Sequence, residues 1–459
     1  MNATTPPGRT CRKKIAVIGS GISGLSCAWL LNQSQDVTLF EKDDRLGGHS
    51  NTVTFELKQR QVNVDTGFIV YNPVNYPNLV EFFASLNVET CDTDMSFAVS
   101  MNDGELEYAG TGFSGLFAQK RNLLRPQFWA MIADLMRFYR QSEALLATPD
   151  LEQLTLGELL RRHRYGKAFI DKHLLPMGAA IWSMPVEKML DYPAASFLRF
   201  CSNHGLNRLK NRPQWRTVVG GSRQYVDKIA SHLGNAVRLN TRIQSVTRLD
   251  GQVAVDDMLG NRELFDEVVF ACHSDQALEL LSDASRDEKA LLGCFPYQRN
   301  FAYLHMDSSL MPRRRQAWSS WNYLASSNSK KQRVSVSYWM NRLQPLNTEQ
   351  PVIVSLNPLR QPKQGTIIRS FLYDHPVFDQ RSLSAQQRLW SLQGKRHTWF
   401  CGAYFGYGFH EDGLQSGLAV AEALGGVPRP WDVEAPNGRI CLPSDYMTHT
   451  RTLPEAAHD

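Results

Sequence analysis

The sequence predicts an α/β protein in which a parallel-strand nucleotide-binding domain is interleaved with an α+β substrate domain built on an antiparallel sheet. Three observations carry this. A short apolar strand, Ile15 to Ile18, runs into Gly19-Ser20-Gly21-Ile22-Ser23-Gly24 and then a helix pattern from Leu25 to Leu31. A second strand, Val37 to Phe40, ends in Glu41, 22 positions after Gly19. After residue 290 the pattern changes to alternating strands separated by turn formers.

Each part of the first motif has a mechanical reason. Gly19 permits the tight turn, Gly21 lets a pyrophosphate approach the backbone, and Gly24 lets the helix pack close to the strand. Amides at the helix start hold phosphates. Glu41 can accept from a ribose hydroxyl, and its charge disfavours a ribose 2′-phosphate. Ser23 and Lys42 complete the expected contacts of this segment. Strand, turn, helix and acid occur together at the required spacing, which makes this Rossmann-like signal specific.

The rest of the chain reads in order. A mostly helical stretch follows residue 75. It contains one hairpin signal, Phe97 to Ala109, with Asp103-Gly104 in the turn. Pro176, Pro185 and Pro193 punctuate the helical part. Residues 215–233 read as a Gly-Gly loop opening a helix. Residues 237–257 read as two strands with an Asp250-Gly251 turn. Strands are expected at Phe301–Met306, Arg333–Trp339, Val352–Leu356 and Thr366–Tyr373, with turn formers at Ser326–Lys331 and Asn357-Pro358. The nucleotide-binding domain is thus expected to comprise residues 1–75, 215–280 and 395–430. The substrate domain takes 76–214 and 281–394, and 431–459 is an extended tail.

Arg45-Leu46-Gly47-Gly48, just past the second strand, resembles the second dinucleotide motif of the FAD-dependent amine oxidase and phytoene desaturase superfamily. Asp65-Thr66-Gly67 and the segment Phe400-Cys401-Gly402-Ala403-Tyr404, continuing through Gly406 to Gly417, resemble the same family. The likeness is closer to a bacterial group of FAD-binding oxidoreductases that often accompany cyclopropane-fatty-acyl-phospholipid synthases, carried by residues 65–79, 174–185 and 400–414. The resemblance implies FAD, with Arg45, Gly47 and Gly48 beside the pyrophosphate. It also implies a returning strand at Glu267–Cys272 and the backbone near Val237 at the adenine. Gly402 is then expected at the ribityl chain. Asp412, Gly413 and Leu414 would stand at a helix start facing the flavin ring, where a positive helix end favours the reduced, negatively charged ring. His49 follows Gly47-Gly48, but the cysteine motif of covalent amine oxidases is missing, so the FAD is expected to be non-covalent.

Composition agrees with a globular enzyme. The chain has 459 residues, 42% hydrophobic and 21% charged, enough for two or three domain-sized units. No run approaches a membrane span, and the first apolar stretch is the opening strand rather than a signal peptide. Eight cysteines are scattered without metal-ligand spacing, which fits a reduced, cytoplasmic protein and no metal. A net charge of +5 without a reading motif argues against nucleic acid.

Candidate chemistry concentrates before the last helix. His410, Tyr404 and Tyr407 are the catalytic candidates: His410 titrates near neutrality and could move protons beside a flavin, or could simply pack there. The stretch 174–185 is the pocket candidate. Gly178, Ala179 and Ala180 would allow close approach, and Met177, Ile181 and Trp182 an apolar wall; a tightly packed core helix is the alternative. Lys120, Arg121 and Arg125 precede a helical pattern of Phe128, Met131, Ile132, Leu135 and Tyr139, which reads as a core helix or as a basic, aromatic face touching anionic lipid at the inner membrane face. Arg313-Arg314-Arg315 could serve that surface. One departure from the family matters: Tyr297–Phe301 carries no lysine where many of its amine oxidases place one near the flavin. The acid that follows the family's strand glycine is also absent, since Ala403 and Tyr404 follow Gly402. The expected activity is hydride transfer between FAD and an apolar, lipid acyl-chain substrate. A flavin amine oxidase, and a flavin-bearing non-catalytic partner of an acyl-chain methyltransferase, are the alternatives.

Overall fold

The computed structural model describes residues 12–182, 186–208, 212–326, 333–444 and Tyr446. The N-terminal residues 1–11, the Ser183–Pro185 end of the pocket candidate, most of the expected 326–331 turn and the tail beyond Tyr446 lie outside the described residues. The chain divides into two compact units. Unit 1 holds residues up to Gly48, Val226–Cys294 and everything from Ala385; unit 2 holds His49–Tyr225 and Phe295–Ser384.

Unit 1 is built on a five-stranded parallel sheet: β1 (Lys14–Ile18), β2 (Asp36–Phe40), β3 (Val237–Arg238), β4 (Glu267–Phe270) and β5 (Thr398–Phe400), in the order β5-β4-β1-β2-β3. Ile15, Ala16 and Val17 on the central strand are wholly buried, as a continuous apolar run in a covered parallel sheet should be. Helix α1 (Ile22–Leu31) is buried along its whole length, and so is most of α2 (His410–Ala423). The two pack closely because glycines stand at the contact. A Cβ on Gly417 would lie 2.3 Å from the Ser23 carbonyl oxygen, and one on Gly413 would lie 2.8 Å from the Ser23 hydroxyl. A three-stranded antiparallel ribbon (243–248, 253–257, 262–265) completes the unit, with Gly251 at positive φ in its turn.

The segment expected as an extended tail is packed where it is described. Through residue 444 it has no helix or strand, yet Trp431 stacks on Trp29 and the Tyr446 hydroxyl donates to the Ala419 carbonyl at 3.0 Å. Just before it, Arg429 pairs with Glu422 at 2.8 Å. These contacts fasten the segment onto α1 and α2.

Unit 2 contains a seven-stranded sheet in the order 367–376, 297–305, 353–356, 333–339, 321–326, 97–101, 106–109. It is not purely antiparallel: Trp321–Ser326 pairs parallel with Phe97–Met101. The hairpin at 102–104 forms with Asn102, Asp103 and Gly104 all at positive φ. A second hairpin, Thr52–Leu57 with Arg60–Asp65, belongs to unit 2 although the nucleotide-binding segment was expected to run to residue 75.

Buried Asp65 fastens this hairpin. It accepts from the Thr52 hydroxyl (2.6 Å), the Ser222 amide and hydroxyl (2.9 and 2.7 Å) and the Gln344 amide group (2.7 Å). Burial among neutral donors raises its pKa above the usual carboxylate value despite these bonds.

Candidate functional site

The turn between β1 and α1 shows why three glycines stand there. Gly19 has φ +104°, and a Cβ on it would lie 2.9 Å from the Ala271 carbonyl oxygen. On Gly24 a Cβ would lie 1.9 Å from the Gly19 oxygen and 3.0 Å from the Ala271 Cβ. On Gly21 it would meet nothing within 4 Å. So two glycines are demanded by the protein's own packing. The third leaves its backbone open on the side where a phosphate would approach the helix start.

Ser20, which sequence reasoning passes over because it fills a variable position of the motif, ties the site together. Its amide donates to a Glu41 carboxylate oxygen at 3.0 Å, and its hydroxyl donates to the same oxygen. Its carbonyl and hydroxyl oxygens accept from the Gly47 amide at 3.0 and 3.2 Å. The other Glu41 oxygen accepts from the Asp43 amide at 3.0 Å. Of the roughly four acceptor positions of a carboxylate, these bonds leave one for a ribose hydroxyl. Arg45 holds its own loop, donating to the Gly48 carbonyl at 2.9 Å. A Cβ on Gly48, at φ +56°, would come 3.2 Å from Gly21 Cα. Val237 pairs with Leu39 at the end of β2, and the Glu41 amide donates to the neighbouring Arg238 carbonyl. Lys42 is exposed beside it.

The second motif returns to this place. The Cys401 amide continues the sheet by donating to Phe270. Gly402 donates to and accepts from the Ser416 hydroxyl, at 3.0 and 3.1 Å. Gly413, near the start of α2, would place a Cβ 2.9 Å from Ile22 Cγ2. The N-terminal turns of α1 and α2 therefore meet beside Gly21. Two positive helix ends at one point make an anion site, and the chemistry of this cradle fits the pyrophosphate of a dinucleotide.

Three residues expected at the cofactor do other work. Asp412 is buried, accepts from the Phe409 amide at 2.7 Å and pairs with Arg439 Nε at 2.7 Å. Its carboxylate caps α2 and anchors the following segment, and burial raises its pKa although Arg439 opposes this. The Gly413 amide already donates to the Phe409 carbonyl at 3.2 Å, so its glycine serves the contact with α1. Leu414 is wholly buried inside α2. A helix leaves only its first amides without partners, and the Asp412 and Gly413 amides both already donate to the Phe409 carbonyl.

The catalytic candidates are also reassigned in part. His410 opens α2, and desolvation pushes its pKa down to about 3. It is neutral across physiological pH, contrary to a residue titrating near neutrality. The Tyr404 ring packs on Gly402, where a Cβ would lie 2.4 Å from it, and the Tyr404 carbonyl accepts from Gln386 at 3.0 Å. Tyr407 is half-buried with the Arg439 guanidinium 5.5 Å from its ring centre.

In unit 2 the pocket candidate splits by helix face. Leu175–Trp182 is a helix. Ala180 and Trp182 point into the core: Trp182 packs against Tyr192 and Phe200 with ring centres 4.8 Å apart in each case. Gly178 is equally tight, since a Cβ there would lie 2.5 Å from Met189 Cε. Among the described residues of this stretch, Met177 and Ile181, one turn apart, are half-buried and the others buried.

Residues 22–310, more than half of the chain, match the family of flavin containing amine oxidoreductases. The chain belongs to this family. It is 27% identical over 274 residues to the flavin-containing amine oxidase A of Canis lupus familiaris, covering 55% of this chain and 47% of that protein. A Mycobacterium tuberculosis protein named for flavin-containing monoamine oxidase activity is 28% identical over 271 residues, 57% of this chain and 56% of the relative. The match spans about half the length of these relatives. Among solved structures, a fatty acid isomerase from P. acnes that produces CLA has a TM-score of 0.63 at 16% identity, covering 88% of this chain and 97% of that one. Cyclohexylamine oxidase from Brevibacterium oxydans has a TM-score of 0.63 at 13% identity, covering 90% and 100%. At these identities the likeness establishes the fold, an FAD-binding one. Among the described residues all seven cysteines are free thiols, no group of residues could hold a metal ion, and no helix is long and apolar enough to cross a membrane.

Proposed function

We propose that this chain is an oxidoreductase with non-covalent FAD that transfers hydride between the flavin and a carbon of an apolar, acyl-chain substrate. The observation that carries the cofactor half is the open backbone at Gly21 where two helix starts converge. When bound, FAD supplies a two-electron acceptor and donor for hydride. The chain's own residues bind and orient it: Ser20 and Glu41 fix the turn, Arg45 fixes the Gly47-Gly48 loop, and the start of α2 presents a positive end. His410, held neutral, can accept a proton or hydrogen bond at its imidazole but carries no charge at neutral pH.

The substrate half is supported by the apolar face of Met177 and Ile181 and by the strand Tyr297–His305, which bears Gln298, Arg299 and Asn300 but no lysine. That the fold also carries a fatty acid isomerase is compatible with an acyl chain. The relatives favour a second reading, oxidation of amines. Association with an acyl-chain methyltransferase and a cytoplasmic location complete the proposal; a flavoprotein that only supports such a methyltransferase is its non-catalytic limit.

The test is anaerobic flavin absorbance with phospholipids bearing unsaturated or cyclopropane chains and, separately, a panel of amines. Bleaching by lipid alone supports the acyl-chain reading. Bleaching by an amine alone replaces it with amine oxidation. Bleaching by neither contradicts substrate oxidation and leaves the reductive direction, which needs an external donor, or the non-catalytic limit.

A further inference from the structure

The start of the long helix Pro126–Leu146 and the turns before it carry an unusual surface. The helix itself buries Phe128, Met131, Phe138 and Leu145, which settles its body as a core element. The residues leading into it are different. Leu124 is 86% exposed, Phe113 73%, Trp129 47% and Leu123 43%. They are neighbours. The Phe113 ring lies 4.7 Å from Phe117, and Phe117 lies 5.5 Å from Trp129. The Trp129 indole N–H donates to the Leu123 carbonyl at 2.9 Å, so its polar edge is satisfied and its ring remains outward. Leu123 and Leu124 close a single turn, Lys120–Leu124. Large apolar side chains gathered in this way, rather than scattered singly, mark an interaction surface.

The same turn is basic. Lys120 and Arg121 are exposed and Arg125 is half-buried. Arg121 and Arg125 both donate to the backbone carbonyl of Glu105, Arg125 at 3.0 Å, which orders them without cancelling their charge. Among the described residues no carboxylate forms an ion pair with Lys120, Arg121 or Arg125. Of the neighbouring arginines expected to extend the patch, two are neutralised by carboxylates and the third is not. Arg313 pairs with Asp103, Arg314 pairs with buried Glu107 at 2.7 Å, and Arg315 stacks 3.8 Å over Trp318. Uncancelled charge therefore lies on the turn that bears the exposed leucines and on exposed Arg315.

We propose that this surface docks on the anionic face of a phospholipid bilayer, with Phe113, Leu123, Leu124 and Trp129 entering the headgroup boundary and Lys120, Arg121 and Arg125 meeting acidic headgroups. An apolar wedge with an aromatic edge and flanking cations is the pair of signals that stable peripheral attachment requires, since neither alone suffices. The docking stands on these surface residues alone and does not depend on the acyl-chain reading.

The test is co-sedimentation of the flavin-loaded protein with vesicles of phosphatidylcholine alone and of phosphatidylcholine mixed with phosphatidylglycerol. Binding is expected to the mixed vesicles and to weaken as salt is raised. Leu124→Asp and Phe113→Ser should each lower the partition by roughly tenfold or more, and Lys120→Glu by less. All three side chains are exposed, so unchanged flavin content and melting temperature will show that the variants are folded. No sedimentation with mixed vesicles at low salt would overturn the proposal, as would undiminished binding by Leu124→Asp. Self-association that Leu124→Asp abolishes, with no vesicle binding, would assign the face to a second copy of the chain and overturn it equally. No substrate turns over in this assay, so its failure is separate from a failure of the hydride reading.

Discussion

The glycine turn at 19–24 and the helix at 175–182 are both short and rich in small residues, and both are expected from sequence to meet a ligand. They differ in what their small residues face. In the turn, Gly19 and Gly24 face the protein's own backbone while Gly21 faces open space. In the helix, Gly178 faces Met189 and Phe197 and Ala180 is buried, and among the described residues of the stretch Met177 and Ile181 are half-buried. In a fingerprint turn each glycine's role follows from its place in the motif, even where the atom it meets, as Ala271 for Gly19, is distant in sequence. A helix face is chosen by the elements that pack on it, here through Tyr192, Phe197 and Phe200, which the pattern of the helix itself does not announce.

The sharpest break of this comparison is Gly24→Val. A branched side chain would stand where even a Cβ lies 1.9 Å from a carbonyl oxygen. Loss of the folded, soluble protein is expected, read by circular dichroism and solubility; a folded, flavin-bearing variant would refute the packing role.

The helix gives the next largest effect. Trp182→Ala should cost about 3–5 kcal/mol of stability by emptying a core site, measured by urea denaturation. Met177→Ala should cost under about 2 kcal/mol but raise KM for an apolar substrate. Equal stability losses would mean that both faces are core.

Much of the fold is legible for the same physical reason as the turn. Asp103-Gly104, Asp250-Gly251 and Gly220-Gly221 all mark turns because positive φ there suits glycine. The hairpin at 52–65 escapes notice because its turn uses Lys58 and Gln59 at φ 51° and 62°, residues that do not advertise a left-handed conformation. The strand Trp321–Ser326 is missed although it pairs antiparallel with Arg333–Trp339, and its parallel pairing with Phe97–Met101 joins residues more than 200 apart. At the site, Glu41 and the glycines are readable, whereas the role of Asp412 depends on Arg439, 27 residues later in a segment that reads as a polar tail.

A smaller effect separates buried polar groups of unit 2 from those at the surface. His305 is wholly buried, accepts from the Asp307 amide at 3.0 Å and bonds the Ser355 hydroxyl at 2.9 Å. Desolvation pushes its pKa down to about 4 from an ordinary 6.5. The folded value lies below the unfolded one. Its contribution is therefore complete above pH of about 6.5 and is lost as pH falls toward about 4, amounting to about 2 kcal/mol by pH of about 5. Urea midpoints should fall over that window, and His305→Gln should flatten the slope. An unchanged slope would mean that the imidazole already reaches water.

The most direct measurement of the central claim is the flavin content of Gly21→Val. A side chain there meets nothing in the protein but fills the space a pyrophosphate needs. The account predicts a soluble variant whose flavin-free form melts close to flavin-free wild type, yet which retains little or no FAD. Stoichiometric FAD in that variant would contradict the assignment of this turn as the cofactor cradle.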